Sequence, residues 1–454
     1  MRDAILKDKA DKERERFINS FEPEEICQLA SSYHGGDPCR IFKDRSRGSF
    51  NICFFVEFEA TAPTERWVIR IPIPSRYVAA KTSIPVPRVH AFSLTKGSPI
   101  NTAFIIMDYI QGQTLRDLGF RNTPEWGFYY EDPSAACMRV FEQMADVYIQ
   151  LRKLEFPRIG ALGLPDDTSL TLSTCDADEI HVCRRPVSIE INMQETDGMD
   201  PAARFQPRTT FPTASSFVEA LLWLADNALD KSRDWCLYLR GGKQLIYGHH
   251  QFRRYVLDKW LDRKADNGPF VLMHGDLSLH TNNMLFDDSH RLVGVLDWEW
   301  SYVVPAQLLL PPTWLTGSGF HWMMMNHGWF NNSAKHLIAA VKDREMALET
   351  PPQLSREWAK TETWCHTAIA TALLNPDSVY DVYWRFLFYE CEAPRSEDYR
   401  EFHLREITPR LADLFKSSPK YTALLDRKKK EQQLFFEEEK EYFNRSKARE
   451  MLNE

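Results

Sequence analysis

Several things are missing from this chain, and each absence removes a class of function. No run approaches the ~20 apolar residues needed to cross a bilayer, so a membrane protein is not expected. Residues 1–16 mix charges without an apolar core, so no secretory signal is expected there. The nine cysteines, at 27, 39, 53, 137, 175, 183, 236, 365 and 391, form no Cys-x-x-Cys pair. An odd, dispersed set reads as reduced thiols in a cytoplasmic setting. Cys175, His181 and Cys183, beside Asp176 and Asp178, match no common zinc spacing. Nor is there an excess of positive charge. The net charge of −8 and pI near 6.0 leave no general electrostatic case for nucleic acid or an anionic membrane. Internal repeats and low-complexity tracts are also absent.

What is present is mostly ordinary. With 454 residues, 43% hydrophobic and 26% charged, the chain can hold two or three domains' worth of core. One stretch is not ordinary. Val271-Leu-Met-His274-Gly275-Asp276 reads as an apolar strand entering a polar loop, and Asn282-Asn283-Met-Leu-Phe-Asp287 and Gly294-Val-Leu-Asp297-Trp-Glu299-Trp300 follow. The spacing predicts a hairpin, with strands at Met284–Phe286 and Leu292–Leu296 and a turn at Asp287–His290. That hairpin would fold Asp297 back beside Asp276, 21 residues earlier.

A base-capable carboxylate, an amide and a second carboxylate around one pocket are what metal-assisted phosphoryl transfer requires. Mg²⁺ takes hard oxygen ligands, usually one or two from protein and the rest from water and phosphate. Asp297 and an asparagine at 282 or 283 suit that role, and Asp276 suits acceptance of a hydroxyl proton. Such sites work by positioning and charge stabilisation, so few side chains are needed.

These residues resemble the aminoglycoside phosphotransferase and choline kinase family, its fungal branch in particular: a His-Gly-Asp-x-x-x-x-Asn loop followed by Ile/Val-Asp-Trp-Glu. The resemblance implies an α+β, two-lobed protein-kinase-like fold with a small β-rich N-lobe and a larger helical C-lobe. It implies Asp276 as catalytic base, Asp297 and Asn283 as Mg²⁺ ligands, and His274 as a structural residue. One departure lies inside the motif. The family's asparagine position holds Thr281 here, so aligning Asn283 requires two inserted residues, and Asn282 stays open as the alternative.

The rest of the chain is expected to follow that plan: a helical extension over 1–35, an N-lobe over 36–110, a C-lobe over 111–425 and a charged terminal helix over 426–454. Strands are expected at 39–42, 49–59 and 67–73, with helices near 133–158, 215–230 and 251–264. By the resemblance, Lys43–Asn51 is the nucleotide-covering loop, with Ser49 and Phe50 near phosphate, and Arg70 grips the phosphates. Backbone groups of Asp108 to Ile110 form the hinge that meets an adenine or guanine edge, behind Met107. The aromatics of 353–417 read as core. A further absence matters here. No glutamate occurs between Arg70 and Thr102, so the kinase-like helix whose glutamate pairs with this cation is missing. A buried unpaired arginine is costly, so nucleotide phosphate or another carboxylate must satisfy it.

The expected activity is transfer of the terminal phosphate of ATP or GTP, with Mg²⁺, to a hydroxyl of a small molecule. The missing glutamate keeps a catalytically impaired nucleotide-binding scaffold open. A metal-dependent phosphoesterase would need further ligands, with His249 and His250 the nearest candidate pair.

Overall fold

In Ile52-Cys-Phe-Phe-Val-Glu-Phe58 every second side chain is apolar and buried toward one side, a period of two that specifies a strand with one dry face. In the computed structural model this strand lies inside a five-stranded antiparallel sheet. Its members are β1 (Cys39–Arg47), β2 (Ile52–Phe58), β3 (Glu65–Arg70), β4 (Val89–Ser93) and β5 (Phe104–Asp108), in the order β1-β2-β3-β5-β4. The structure describes residues 3–47, 52–59, 64–70, 82–93, 100, 102–163, 180–233, 241–278, 283–360, 363–388 and 402–453.

The chain divides into two compact units. The first joins 13–187 to 269–363 and contains this sheet. The helix Pro23–Tyr33 lays Ile26, Leu29 and Ala30 on the dry face against Ile52, Phe54, Val56, Phe58, Trp67, Ile69, Phe104 and Ile106. Burying that many large apolar side chains, at ~1.5–3 kcal/mol each, is the main force holding helix to sheet.

Three smaller sheets belong to the same unit. β6 (Gln113–Thr114), β11 (Met284–Phe286) and β12 (Leu292–Val295) form one, in the order β12-β11-β6. β7 (Glu155–Phe156), β10 (Phe270–Met273) and β13 (Tyr302–Pro305) form another, with β10 central. β8 (Ala161–Gly163) pairs with β9 (His181–Arg184). The helix Ala135–Lys153 begins at Ser134, whose hydroxyl accepts from the Cys137 amide. Its Gln143 side chain grips the β11–β12 turn at both ends, donating to the His290 carbonyl at 2.8 Å and accepting from the Leu292 amide at 2.6 Å. The helix ends earlier than expected, at Lys153, because Glu155-Phe156 is claimed by β10.

The second unit joins 1–12, 188–268 and 364–454 and is mainly helical. Its helices include Ala214–Lys231, Gly242–Tyr255 and Thr363–Leu374. Trp364, Tyr383, Trp384, Phe386 and Phe388 are buried, as core rather than as a ligand box. The terminal helix, Pro419–Asn453, is not solvated all round. Leu425 and Phe435 are buried, and the fully buried Lys428 donates to the Ser232 carbonyl at 2.8 Å. Among the described residues no helix is long and apolar enough to cross a membrane.

Candidate active site

The face of the sheet away from Pro23–Tyr33 is decided by the same alternation. Trp67 and Ile69 point to the dry side, so Val68 and Arg70 point to the other, where Arg70 pairs in register with Cys53 and Ile105, and Val68 with Phe55 and Met107. Arg70 is only 9% exposed and needs a counter-charge. Two carboxylates supply it. One Nη of Arg70 is ion-paired with Asp297, and the other donates to Glu299 Oε1 at 2.7 Å. The charge of the buried arginine is therefore matched by the Asp-Trp-Glu segment, while its Nε has no hydrogen-bond partner among the described residues.

That segment is placed by the hairpin. β11 and β12 pair Met284 with Val295, and the Leu296 amide donates to the Asn283 carbonyl at 2.8 Å, so Asn283 sits one residue across from Asp297. Asp297 itself adopts a left-handed backbone conformation, φ 66°, which turns the chain into the short helical turn Trp298–Trp300 and brings Glu299 to the same side. Trp298 locks the turn by donating its Nε1–H to the Val295 carbonyl at 2.9 Å.

The His-Gly-Asp loop leaves β10, which is held along its length by β13. His274 is 2% exposed, donates from Nε2 to the Leu296 carbonyl at 2.7 Å, and lies against Trp298 with ring centroids 4.5 Å apart. Burial pushes its pKa down to about 4, so the ring is neutral and its Nδ1 accepts from the Asp276 amide at 3.4 Å. His274 clamps the loop to the strand that carries Asp297. Gly275 is required twice over: its φ is +78°, and any Cβ would collide with the Trp300 carbonyl oxygen. Below the loop, Trp314 donates to the Leu277 carbonyl at 3.0 Å.

Asn283 therefore links the His-Gly-Asp loop to the hairpin that ends at Asp297. Asn283 is fully buried, and its Nδ2 donates to the Asp276 carbonyl oxygen. Burial raises the Asp276 carboxyl to about 7, with Glu299 adding to the rise and Arg70 opposing it. A carboxylate with its pKa near neutrality is suited to taking up a proton at physiological pH.

The donor set fits a magnesium ion. Asn283 Oδ1 is buried and has no hydrogen-bond partner among the described residues, which is costly for an amide oxygen unless a ligand meets it. The hairpin register puts Asn283 opposite Leu296, next in sequence to Asp297, and two hard oxygens are what Mg²⁺ usually takes from protein. Among the described residues no cluster of three or more His, Cys, Asp or Glu is disposed to hold a metal, as a two-metal phosphoesterase would need. His249 and His250 belong to the other unit, where His250 Nδ1 lies 3.1 Å from the Tyr421 hydroxyl.

At the expected hinge, Asp108 turns its carboxylate to His90 Nε2 at 2.7 Å and the Arg88 amide at 3.2 Å. Its own amide donates to the Arg88 carbonyl and that of Tyr109 to the Arg66 carbonyl. Both are committed within the fold. Ile110 packs against Gly294, where an added Cβ would lie 3.2 Å from its Cδ1. Of the three amides, that of Ile110 makes no hydrogen bond among the described residues. Ser49, Phe50, Asn282 and the segment 71–81, where the helix is missing in sequence, lie outside the described residues. Glu299 was visible in the motif, but nothing in the sequence tied it to Arg70, 229 positions earlier.

A model of the phosphotransferase enzyme family matches residues 75–306, a little over half of the chain. The chain belongs to that family. The match opens after β3, so Arg70 and its strand lie outside it. This member of the phosphotransferase family is also similar to two kinds of solved structure. One is a thermostable mutant of aminoglycoside phosphotransferase APH(4)-Ia in ternary complex with ADP and hygromycin B, at 14% identity and a TM-score of 0.40, over 80% of this chain and 96% of that one. The other is a Plasmodium vivax ethanolamine kinase, at 13% identity and a TM-score of 0.38, over 77% of this chain and 80% of that one. No curated protein matches the sequence.

Proposed function

We propose that this phosphotransferase moves the terminal phosphate of ATP or GTP to a hydroxyl group of a small molecule, using Mg²⁺. The reading is supported by the contact of the Asn283 amide with the Asp276 carbonyl, and by the ion pair of the buried Arg70 with Asp297. Asp276 accepts the proton of the attacking hydroxyl and holds that oxygen in line with the phosphorus. Its raised pKa strengthens it as a base, and His274 and Gly275 fix where its carboxylate lies. Asn283 Oδ1 and the Asp297 carboxylate would hold the metal, which would supply positive charge to neutralise the phosphates. Arg70 supports the phosphates from the sheet, its planar fork suited to a bidentate contact. The Asp108 carbonyl and Ile110 amide would meet the base, and Ser49 and Phe50, outside the described residues, are assigned to phosphate by the family resemblance.

The test is ADP or GDP formation by the purified protein over a fractionated extract of small metabolites, with and without Mg²⁺. A fraction that drives Mg²⁺-dependent turnover in wild type, reduced at least ~10²-fold in Asp276→Asn, supports the reading. Nucleotide binding without turnover in any fraction would instead support the non-catalytic scaffold. Turnover that survives intact in Asp276→Asn overturns the assignment of the base.

A further inference from the structure

Arg70 occupies a contested position. Its guanidinium is bound to both Asp297 and Glu299, yet Asp297 is one of the two hard-oxygen donors that fit a divalent cation. A carboxylate cannot give full charge to a guanidinium and a metal at once, so the two cations compete for Asp297. Glu299 is 12% exposed in its side chain and reaches Arg70 from the turn that follows Asp297. The chain contains no other acidic residue between Arg70 and Asp108, so no carboxylate follows Arg70 on its own strand or in the segment leading to β4.

We propose that Glu299 is the positioning residue that holds Arg70 in the phosphate site, and that Asp297 is the shared ligand: held by Arg70 without nucleotide and released to the metal when nucleotide binds. This rests on the phosphotransferase reading above. Glu299 thus anchors Arg70 from the opposite wall of the site, in place of a glutamate on a helix beside β3. The guanidinium then pivots about the Glu299 contact, exchanging Asp297 for the incoming phosphate oxygens. Metal and nucleotide binding become coupled, because the phosphate charge that frees Asp297 from Arg70 is what opens the metal seat.

Mn²⁺ binding followed by electron paramagnetic resonance, with and without a non-hydrolysable ATP analogue, tests this without requiring turnover. In wild type, Mn²⁺ is expected to bind weakly alone and about tenfold more tightly with the analogue. Arg70→Ala should tighten Mn²⁺ binding without nucleotide by about tenfold, because the competing cation is gone. Glu299→Gln should raise the Kd for the analogue about tenfold or more and weaken the coupling, with Glu299→Asp recovering part of both. Should Asp297→Asn abolish nucleotide-dependent Mn²⁺ binding while Arg70→Ala and Glu299→Gln change nothing, the proposal is overturned and the phosphotransferase reading stands. Should Asp297→Asn bind Mn²⁺ with the analogue as wild type does, the metal assignment falls, and the proposal with it. If Glu299→Gln does not fold, the Arg70→Ala measurement decides alone.

Discussion

Replacing Asp276 with asparagine should inactivate the protein and make it more stable. The carboxyl at 276 is raised from an ordinary 3.8 to about 7, chiefly by burial. At about 1.4 kcal/mol per pKa unit, the ionised side chain therefore costs the native state on the order of 4 kcal/mol. The sign follows from proton linkage. The folded protein holds this proton more tightly than the unfolded chain, so the cost is absent below about pH 4, grows as pH rises toward about 7, and is constant above that. Asparagine has nearly the same shape and no charge to desolvate. The stabilisation of Asp276→Asn should thus be largest at pH 8 and about a third as large at pH 5. At roughly 1 °C per kcal/mol for a chain of 454 residues, thermal midpoints should differ by about 4 °C at the higher pH and about 1.5 °C at the lower. The assay is differential scanning calorimetry of both proteins across that range, without nucleotide. A variant no more stable than wild type at pH 8, or a gap that fails to narrow on acidification, would refute the burial of a charged base at this position.

Three further outcomes follow from the same geometry. The kcat/KM for the acceptor should fall tenfold per pH unit below about pH 7, because Asp276 must be deprotonated to act; a profile flat down to pH 5 would show that its pKa is not raised. Gly275→Ala should lower stability on the order of 3 kcal/mol and abolish turnover, since the methyl meets the Trp300 carbonyl in a left-handed backbone; a wild-type melting curve would contradict this. His274→Phe should cost about 1–3 kcal/mol by leaving the Leu296 carbonyl unpaired, and should lower kcat more than the KM for nucleotide, as checked by urea unfolding and steady-state kinetics.

The hairpin was legible because its information is local. Met284–Phe286 and Leu292–Val295 are apolar runs around a polar turn, and a two-residue period fixes which neighbours face each other. The hairpin pairing that sets Asn283 opposite Leu296 and the placement of Arg70 on the face opposite Trp67 and Ile69 follow from the same short-range rules, whereas the need for glycine at 275 comes from the Trp300 carbonyl, 25 residues on. The extents of elements were less legible where a distant partner set them. β1 runs on to Arg47, through what reads as a loop, because β2 pairs with it as far as Ile52, and Glu155-Phe156 left its helix for β10.

The amino-acid order alone marked Asp276, Asn283 and Asp297 as the candidate site, since the apolar strands and polar turn that set the hairpin register are local in sequence. Which carboxylate answers Arg70 was decided only by the folded chain. Ion pairing depends on distance in space, and the Arg70–Glu299 contact joins a sheet strand to a turn that no periodicity, spacing or composition connects.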